Sequence, residues 1–443
     1  MRLRASLRAS ARRLRVLALV FSAAACSLLV APPANAAEAP LSLAEALRIG
    51  VARSPQIASN RALVESANVS VIPAGALPDP KFKTTLDSVP TNTEERWTAH
   101  DPVTMLKVGL IQEFPGYTKL DLRTQRAQRD ARRESEALEV QRAAVQRSVA
   151  TAWISLRFAL EADAKVGAQI AEAELGVDAA NAQYRARTGS QADLIALQSA
   201  VADFKNRRTE LAARIKRARI ALARYIGADA DRPLGDLPDI DRMPDTIAEP
   251  LDADNFPDVR AAWAQEDVAA ADADIAGAET WPDWKVELSY AWRGRSPIFN
   301  LPFVGTEGGT PYAQLISLEV TVDLPLFSGT RQRPRHEAKL KELDAARAMR
   351  EETKRRQTAE VRSMIAEWDS ARTQGKRIKE ELIPLVVQKR EAALAAYRGG
   401  TGGLAAVLEA RRDDLDAHLS LVQQELAAGK AWAWLAFAYP AME

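Results

Sequence analysis

The side chains able to do chemistry are few and scattered. His100, His336 and His418 lie far apart, Cys26 is the only cysteine, and the methionines after residue 36 do not cluster. Soft-metal sites need several such ligands at short spacing, so no metal or cofactor site is predicted. No Ser/His/Asp set or carboxylate pair stands out as catalytic, which counts against an enzyme. The run Gly399-Gly400-Thr401-Gly402-Gly403 has the glycine density of a phosphate loop, but no Gly-Lys-Ser/Thr follows it. A tight turn between antiparallel helices needs glycine for the same steric reason. Just past that turn stand Glu409, Asp413, Asp414 and Asp416. Carboxylates ringed around a narrow pore select cations, whereas on a helix face they are ordinary solvated charge. Asp413, Asp414 and Asp416, beside Arg411 and Arg412, read as surface charge, as do Arg126, Arg129, Arg132 and Arg133. The net charge of +1 gives no electrostatic case for nucleic acid.

The elements that position these residues come in two copies. Tyr184-Arg-Ala-Arg-Thr-Gly-Ser recurs as Tyr397-Arg-Gly-Gly-Thr-Gly-Gly, Pro55 as Pro257, Pro78-Asp79 as Pro282-Asp283, Phe114-Pro115 as Leu324-Pro325, and Trp153 as Trp368. The order is kept and the spacing drifts little, so one unit has been duplicated. The predicted boundaries are 1–36 for an export leader, 37–235 for the first repeat and 236–443 for the second. The leader has a basic start from Arg2 to Arg15, an apolar stretch from Val16 to Val30, and small residues at Ala34-Asn35-Ala36. Ala24-Ala25-Cys26 resembles a lipoprotein cleavage site, but the apolar stretch continues beyond it through Leu28-Leu29-Val30, which favours cleavage after Ala36.

Each repeat reads as a helix, two strands, a very long helix, a glycine turn and a last helix. From Tyr117 to Arg232 there is no proline, and helix formers dominate. Leu138, Val145, Val149, Ala152, Leu156, Ala159, Val166, Ile170, Ala173, Val177 and Ala180 recur every three, four or seven residues, a coiled-coil-like stripe. Helices are predicted over 119–185 and 330–398, with Pro384 kinking or breaking the second, and each would be roughly 100 Å long at 1.5 Å per residue. Shorter helices are expected over 42–72, 191–226, 259–278 and 404–437.

Strands are expected at about 81–87, 105–113, 284–292 and 313–324. Trp284, Val286, Leu288, Tyr290 and Trp292 alternate with polar residues, as do Ile316, Leu318, Val320 and Val322. The pattern fits transmembrane barrel strands and also a half-buried hairpin in a soluble domain. On the barrel reading Leu288 and Val320 face lipid, while Ser289 and Thr321 face the lumen, so Arg should be milder there. Four strands are too few to close a barrel in lipid, and three chains would supply twelve.

This plan, with Ser54-Pro55, Phe256-Pro257 and the tips 184–194 and 397–408, resembles TolC-type outer-membrane efflux ducts over roughly 41–440. Ala74-Gly-Ala-Leu-Pro-Asp-Pro-Lys81 and the run from Met105 to Pro115 resemble the heavy-metal branch, which serves copper/silver or cobalt/zinc/cadmium pumps. The resemblance implies a mainly α fold with a small membrane β part. It implies a homotrimer with a 12-stranded barrel in outer-membrane lipid, continuing into a periplasmic helical barrel. A periplasmic adaptor and an inner-membrane proton-driven pump would be partners, and no reaction is catalysed. Thr188, Gly189, Thr401 and Gly402 become adaptor-contacting candidates. The family's two gate acids, three residues apart, align with Ala406 and Glu409, and in the first repeat with Asp193 and Ala196; Asp413 is a further gate candidate. Two other readings stay open: a duct for organic drugs or secreted peptides, and a structural trimeric coiled-coil stalk.

Overall fold

The computed structural model describes residues 39–91, 103–245, 247, 251–293 and 314–439. The leader with Cys26, His100 and most of both strand-joining loops lie outside the described residues.

The opening helix, expected as one piece over 42–72, is two: α1 (Leu43–Arg53) and α2 (Pro55–Ala74). The break follows from Ser54-Pro55. A proline ring blocks helical geometry in the residue before it, and the Ser54 hydroxyl accepts the Ile57 N–H at 3.3 Å, capping a new helix. Strands β1 (Lys81–Asp87) and β2 (Met105–Phe114) follow, then α3 (Tyr117–Arg185), 69 residues without interruption. A tight turn leads into α4 (Gln191–Ile226). The second repeat gives α5 (Pro257–Ala278), β3 (Trp284–Arg293), β4 (Leu315–Val322), α6 (Gln332–Arg377), α7 (Ile383–Arg398) and α8 (Leu404–Ala436). Of the kink or break that Pro384 predicted, the chain makes no break between α6 and α7. A π-helical turn at Ile378–Leu382 keeps the rod continuous, its extra residue making room for the proline ring and its missing N–H. Among the described residues no helix is long and apolar enough to cross a membrane.

The long helices act as spines. α3 packs against α2 near the sheet and α4 towards the turn, and α6 with α7 packs likewise against α5 and α8. The alanine-rich stripe is what permits this close approach: Ala143, Ala150, Ala162 and Ala173 are buried along α3 with Val145, Val149, Leu156 and Val166. Two tryptophans mark the repeat. Trp153 Nε1 donates to the Leu41 carbonyl at 3.1 Å, and Trp368 Nε1 donates to the Ile240 carbonyl at 2.9 Å. Each pins the segment entering its repeat against the middle of its spine.

The strands form one antiparallel sheet in the order β1-β2-β3-β4. Register places Phe82, Leu110, Leu288 and Leu318 in a row across all four strands, and all are exposed by 55% or more. On the opposite face Lys83 Nζ reaches Glu287 Oε2 at 3.0 Å, crossing β2 where Gly109 presents no side chain. Ser289 corrects one expectation. It is buried opposite Gly109, where even an added Cβ would lie 2.9 Å from the Ser289 Cβ, so this polar-face position has no room for Arg. Thr321, at the exposed edge strand, has it.

Trp153 is fully buried at the centre of the largest apolar cluster. Trp153→Ala should therefore lower stability by about 3–5 kcal/mol, read by urea unfolding in detergent, whereas a change under 1 kcal/mol would show that the junction does not depend on it.

Candidate functional site

The two turns have one construction. In the first, Thr188 N and Gly189 N donate to the Gln183 carbonyl at 3.0 and 3.1 Å; in the second, Thr401 N and Gly402 N donate to the Ala396 carbonyl, each at 3.0 Å. The Thr188 and Thr401 hydroxyls add a bond to the same carbonyls at 3.2 Å. These bonds satisfy carbonyls that a helix end leaves unpaired. The left-handed residue is Gly400 in one turn and Arg187 in the other. Gly189 and Gly402 are needed for closeness instead: a Cβ on either would lie 2.9 Å from the Cβ of Gln183 or Ala396. Ser190 then caps α4, accepting the Ala192 N–H at 3.1 Å. The turns sit side by side over a small apolar cluster of Ala180, Leu197, Leu404 and Val407.

Asp193 falls in the first turn of α4, where the helix dipole favours a carboxylate. Glu409 is exposed on α8, and Lys389 on α7 holds it at 3.0 Å while holding Asp413 at 2.6 Å. Hydrogen bonds to Asp413 and then Glu409 raise the Lys389 pKa above its ordinary value, so the ammonium stays charged at physiological pH. Two acids and one lysine leave this patch with a single net negative charge, less than the carboxylates alone suggested.

Asp414 corrects another expectation: it is buried, not surface charge. Arg390 Nη1 meets its Oδ2 at 2.7 Å, and His418 Nδ1 donates to its backbone carbonyl at 2.8 Å and lies 3.4 Å from its Oδ1. Around it α8 is tied to the first repeat by Arg411 to Glu172 at 3.0 Å, Arg412 to Asp203 at 3.3 Å, and an Arg207–Asp416 ion pair. Lys389 and Arg390 were absent from the sequence reading although a signal existed. Folding the chain at Thr401 puts Lys389 opposite Asp413, because antiparallel helices bring residues equidistant from their turn together. Among the described residues no group of three or more His, Cys, Asp or Glu is placed to hold a metal ion.

Residues 253–439, most of the second repeat, match the family described as outer membrane efflux protein. Solved structures share the fold over nearly the whole chain. A membrane protein from Pseudomonas aeruginosa superposes with TM-score 0.74 at 18% identity, covering 89% of this chain and 93% of its own. The outer membrane protein VceC of Vibrio cholerae gives 0.71 at 16%, covering 90% and 96%. CusC, whose structures describe conformational changes accompanying folding and transmembrane channel formation, gives 0.73 at 13%, covering 90% and 92%. No curated protein sequence matches the chain.

The Arg390–Asp414 pair yields a directional prediction. Arg390→Met strands a buried carboxylate and should cost about 3–5 kcal/mol. Asp414→Asn leaves an arginine that can reach water, so about 1–3 kcal/mol is expected. Equilibrium unfolding that ranks the two the other way would show that Arg390 is not the principal counter-charge.

Proposed function

We propose that the protein is the outer-membrane duct of a tripartite efflux assembly, with three copies closing a barrel that continues into a periplasmic helical tube. The observation that carries this reading is the sheet: an apolar row exposed across four strands, a charged opposite face, and two edge strands, set at one end of spines roughly 100 Å long. A coiled-coil stalk has no use for such a sheet. In a barrel the apolar face meets lipid and the charged face lines the lumen. The leader at 1–36 would deliver the chain across the inner membrane, and the turns bearing Thr188, Gly189, Thr401 and Gly402 would meet the adaptor's helices. The energy of transport belongs to the inner-membrane pump.

Leu288→Arg tests the membrane assignment. It should cost about 2–4 kcal/mol per subunit near the bilayer midplane and lower the yield of heat-modifiable outer-membrane trimer. Ser317→Arg, exposed on the charged face, should leave that yield nearly unchanged. Equal losses would overturn the assignment of faces.

For cargo we propose heavy-metal cations, on the resemblance of residues 74–81 and 105–115 to the metal branch. The acids at the turn end support this reading through charge alone. Three copies of the Glu409–Lys389–Asp413 patch around a constriction give a net negative ring, with Asp193 adding a carboxylate from the first repeat, and such a ring concentrates cations. Glu409→Gln should therefore reduce cation selectivity and weaken block by divalent ions in planar bilayers. Lys389→Gln should do the opposite, because it unmasks two carboxylates. Ala406→Asp should also strengthen block. Conductance indifferent to all three changes would place the constriction elsewhere.

A further inference from the structure

The two hairpins are duplicated down to the individual residue pair. Adding 204 to each β1 number and 210 to each β2 number converts Lys81↔Ile111 into Lys285↔Thr321, Thr84↔Val108 into Leu288↔Leu318, and Leu86↔Leu106 into Tyr290↔Ile316, all of them observed pairs. The same shifts relate Asp79 to Asp283 and Pro115 to Pro325 in the sequence. Between the hairpins, β2 pairs with β3 over ten residues, while β1 and β4 are the two ends of the sheet. β2 and β3 are to one another what β4 is to the β1 of a neighbouring copy.

We infer that β4 pairs with β1 of the next copy in the register that β2 keeps with β3, and that this seam closes a ring of alternating charges at the helix-proximal end of the barrel. The inference rests on the duct reading and adds to it a specific register and a specific ion pair. Shifting the observed pairs gives the seam. Leu110↔Leu288 becomes Val320 opposite Thr84 of the next copy, Gly109↔Ser289 becomes Glu319 opposite Thr85, Ile111↔Glu287 becomes Thr321 opposite Lys83, and Glu113↔Lys285 becomes Asp323 opposite Lys81.

Two independent features of this chain favour that register. The first is charge alternation along the base of the sheet. Lys81 bonds Glu113 at 2.7 Å, Glu113 stands opposite Lys285, and Lys285 lies 3.5 Å from Asp323. The row thus begins with a lysine on β1 and ends with an aspartate just past β4. Only another copy can join the two ends, and it does so with an ion pair.

The second feature is what happens on slippage. A one-residue slip would turn the apolar face of β4 onto the charged face of β1. A two-residue slip keeps the faces but sets Glu319 against Asp87 in one direction and Asp323 against Asp79 in the other. Like charges directly opposite one another destabilise a strand pair. In the inferred register every charged residue from Ser317 to Asp323 meets an opposite charge or a neutral partner.

Cysteine pairs read the register directly, because Cys26 is the only native thiol and can be replaced by serine. Directly opposite residues have Cα atoms about 4.5–5.5 Å apart, within disulfide reach, whereas diagonal ones lie about 7–8 Å apart. Adjacent opposite pairs alternate between the wide and narrow spacing, so Glu319→Cys/Thr85→Cys and Val320→Cys/Thr84→Cys together sample both. Glu319→Cys/Lys83→Cys and Glu319→Cys/Asp87→Cys report the slipped registers. On oxidation of outer membranes, the better of the two matched variants should give covalent dimers and trimers at least tenfold above either slipped variant, at equal outer-membrane yield. Slipped variants that cross-link as well as the matched ones would overturn the register. A cysteine-free chain that is trimeric by native mass, with no cross-link at any of the four pairs, would overturn the seam alone. A monomeric native mass would overturn the duct reading with it.

Discussion

An antiparallel sheet of four strands leaves two rows of backbone N–H and C=O groups without partners, and in hydrocarbon each such group costs several kcal/mol. That constraint shapes the rest of the molecule. On the duct reading it forbids the chain from inserting alone, and it demands that β4 accept the β1 of another copy as β2 accepts β3. Duplication meets the demand at the level of residue pairs, since both hairpins have the same register. The spines have the same need in another form: a rod of 69 residues cannot bury its surface against its own repeat, and α5 and α8 of the other repeat pack on it as well.

Where strands give way to helices, the repeats are joined by a buried lysine. Lys119 Nζ donates to the Trp281 carbonyl at 2.7 Å and meets Asp283 Oδ1 at 2.8 Å, and Asp283 also accepts the Gly116 N–H at 3.1 Å. Burial works against the Asp283 charge, but the lysine and the backbone donor outweigh it and hold its pKa below the ordinary value. Charged groups in so covered a place persist only when every one is partnered. The junction therefore fixes the angle at which the sheet meets its spines, and the two tryptophan bonds fix each repeat's entry halfway down.

At the turn end the balance is different. Apolar contact is thin, with only Ala180, Leu197, Leu404 and Val407 buried together, and the helices are tied chiefly by ion pairs between α8 and its neighbours α3, α4 and α7. Apart from the buried Arg390–Asp414 pair these are largely exposed and individually weak, so this end is the one most easily rearranged. The duct reading needs that property of a gate, while the sheet end needs permanence.

Much of this was legible in the chain itself. The repeat, the long spines, the alternating strands and the glycine turns follow from periodicity and from Gly and Pro, because those signals are local: a helix stripe, a period of two, a residue that cannot take helical geometry. Pro384 was legible as a disturbance, whereas the Ser54-Pro55 break, an equally local signal, was missed in the single helix expected over 42–72. What the chain did not disclose is whatever depends on elements distant in sequence. Whether Pro384 breaks or only widens its helix is decided by the continuous packing of α6 and α7 on α8. Whether Ser289 is roomy is decided by Gly109 on the strand beside it. Whether Asp414 is surface or core is decided by Arg390 across the hairpin. Residue types and spacing determine which elements form and which face is apolar, since those depend on neighbours along the chain. Charge pairing, burial and strand register are properties of neighbours in space, and only the tertiary structure could assign them.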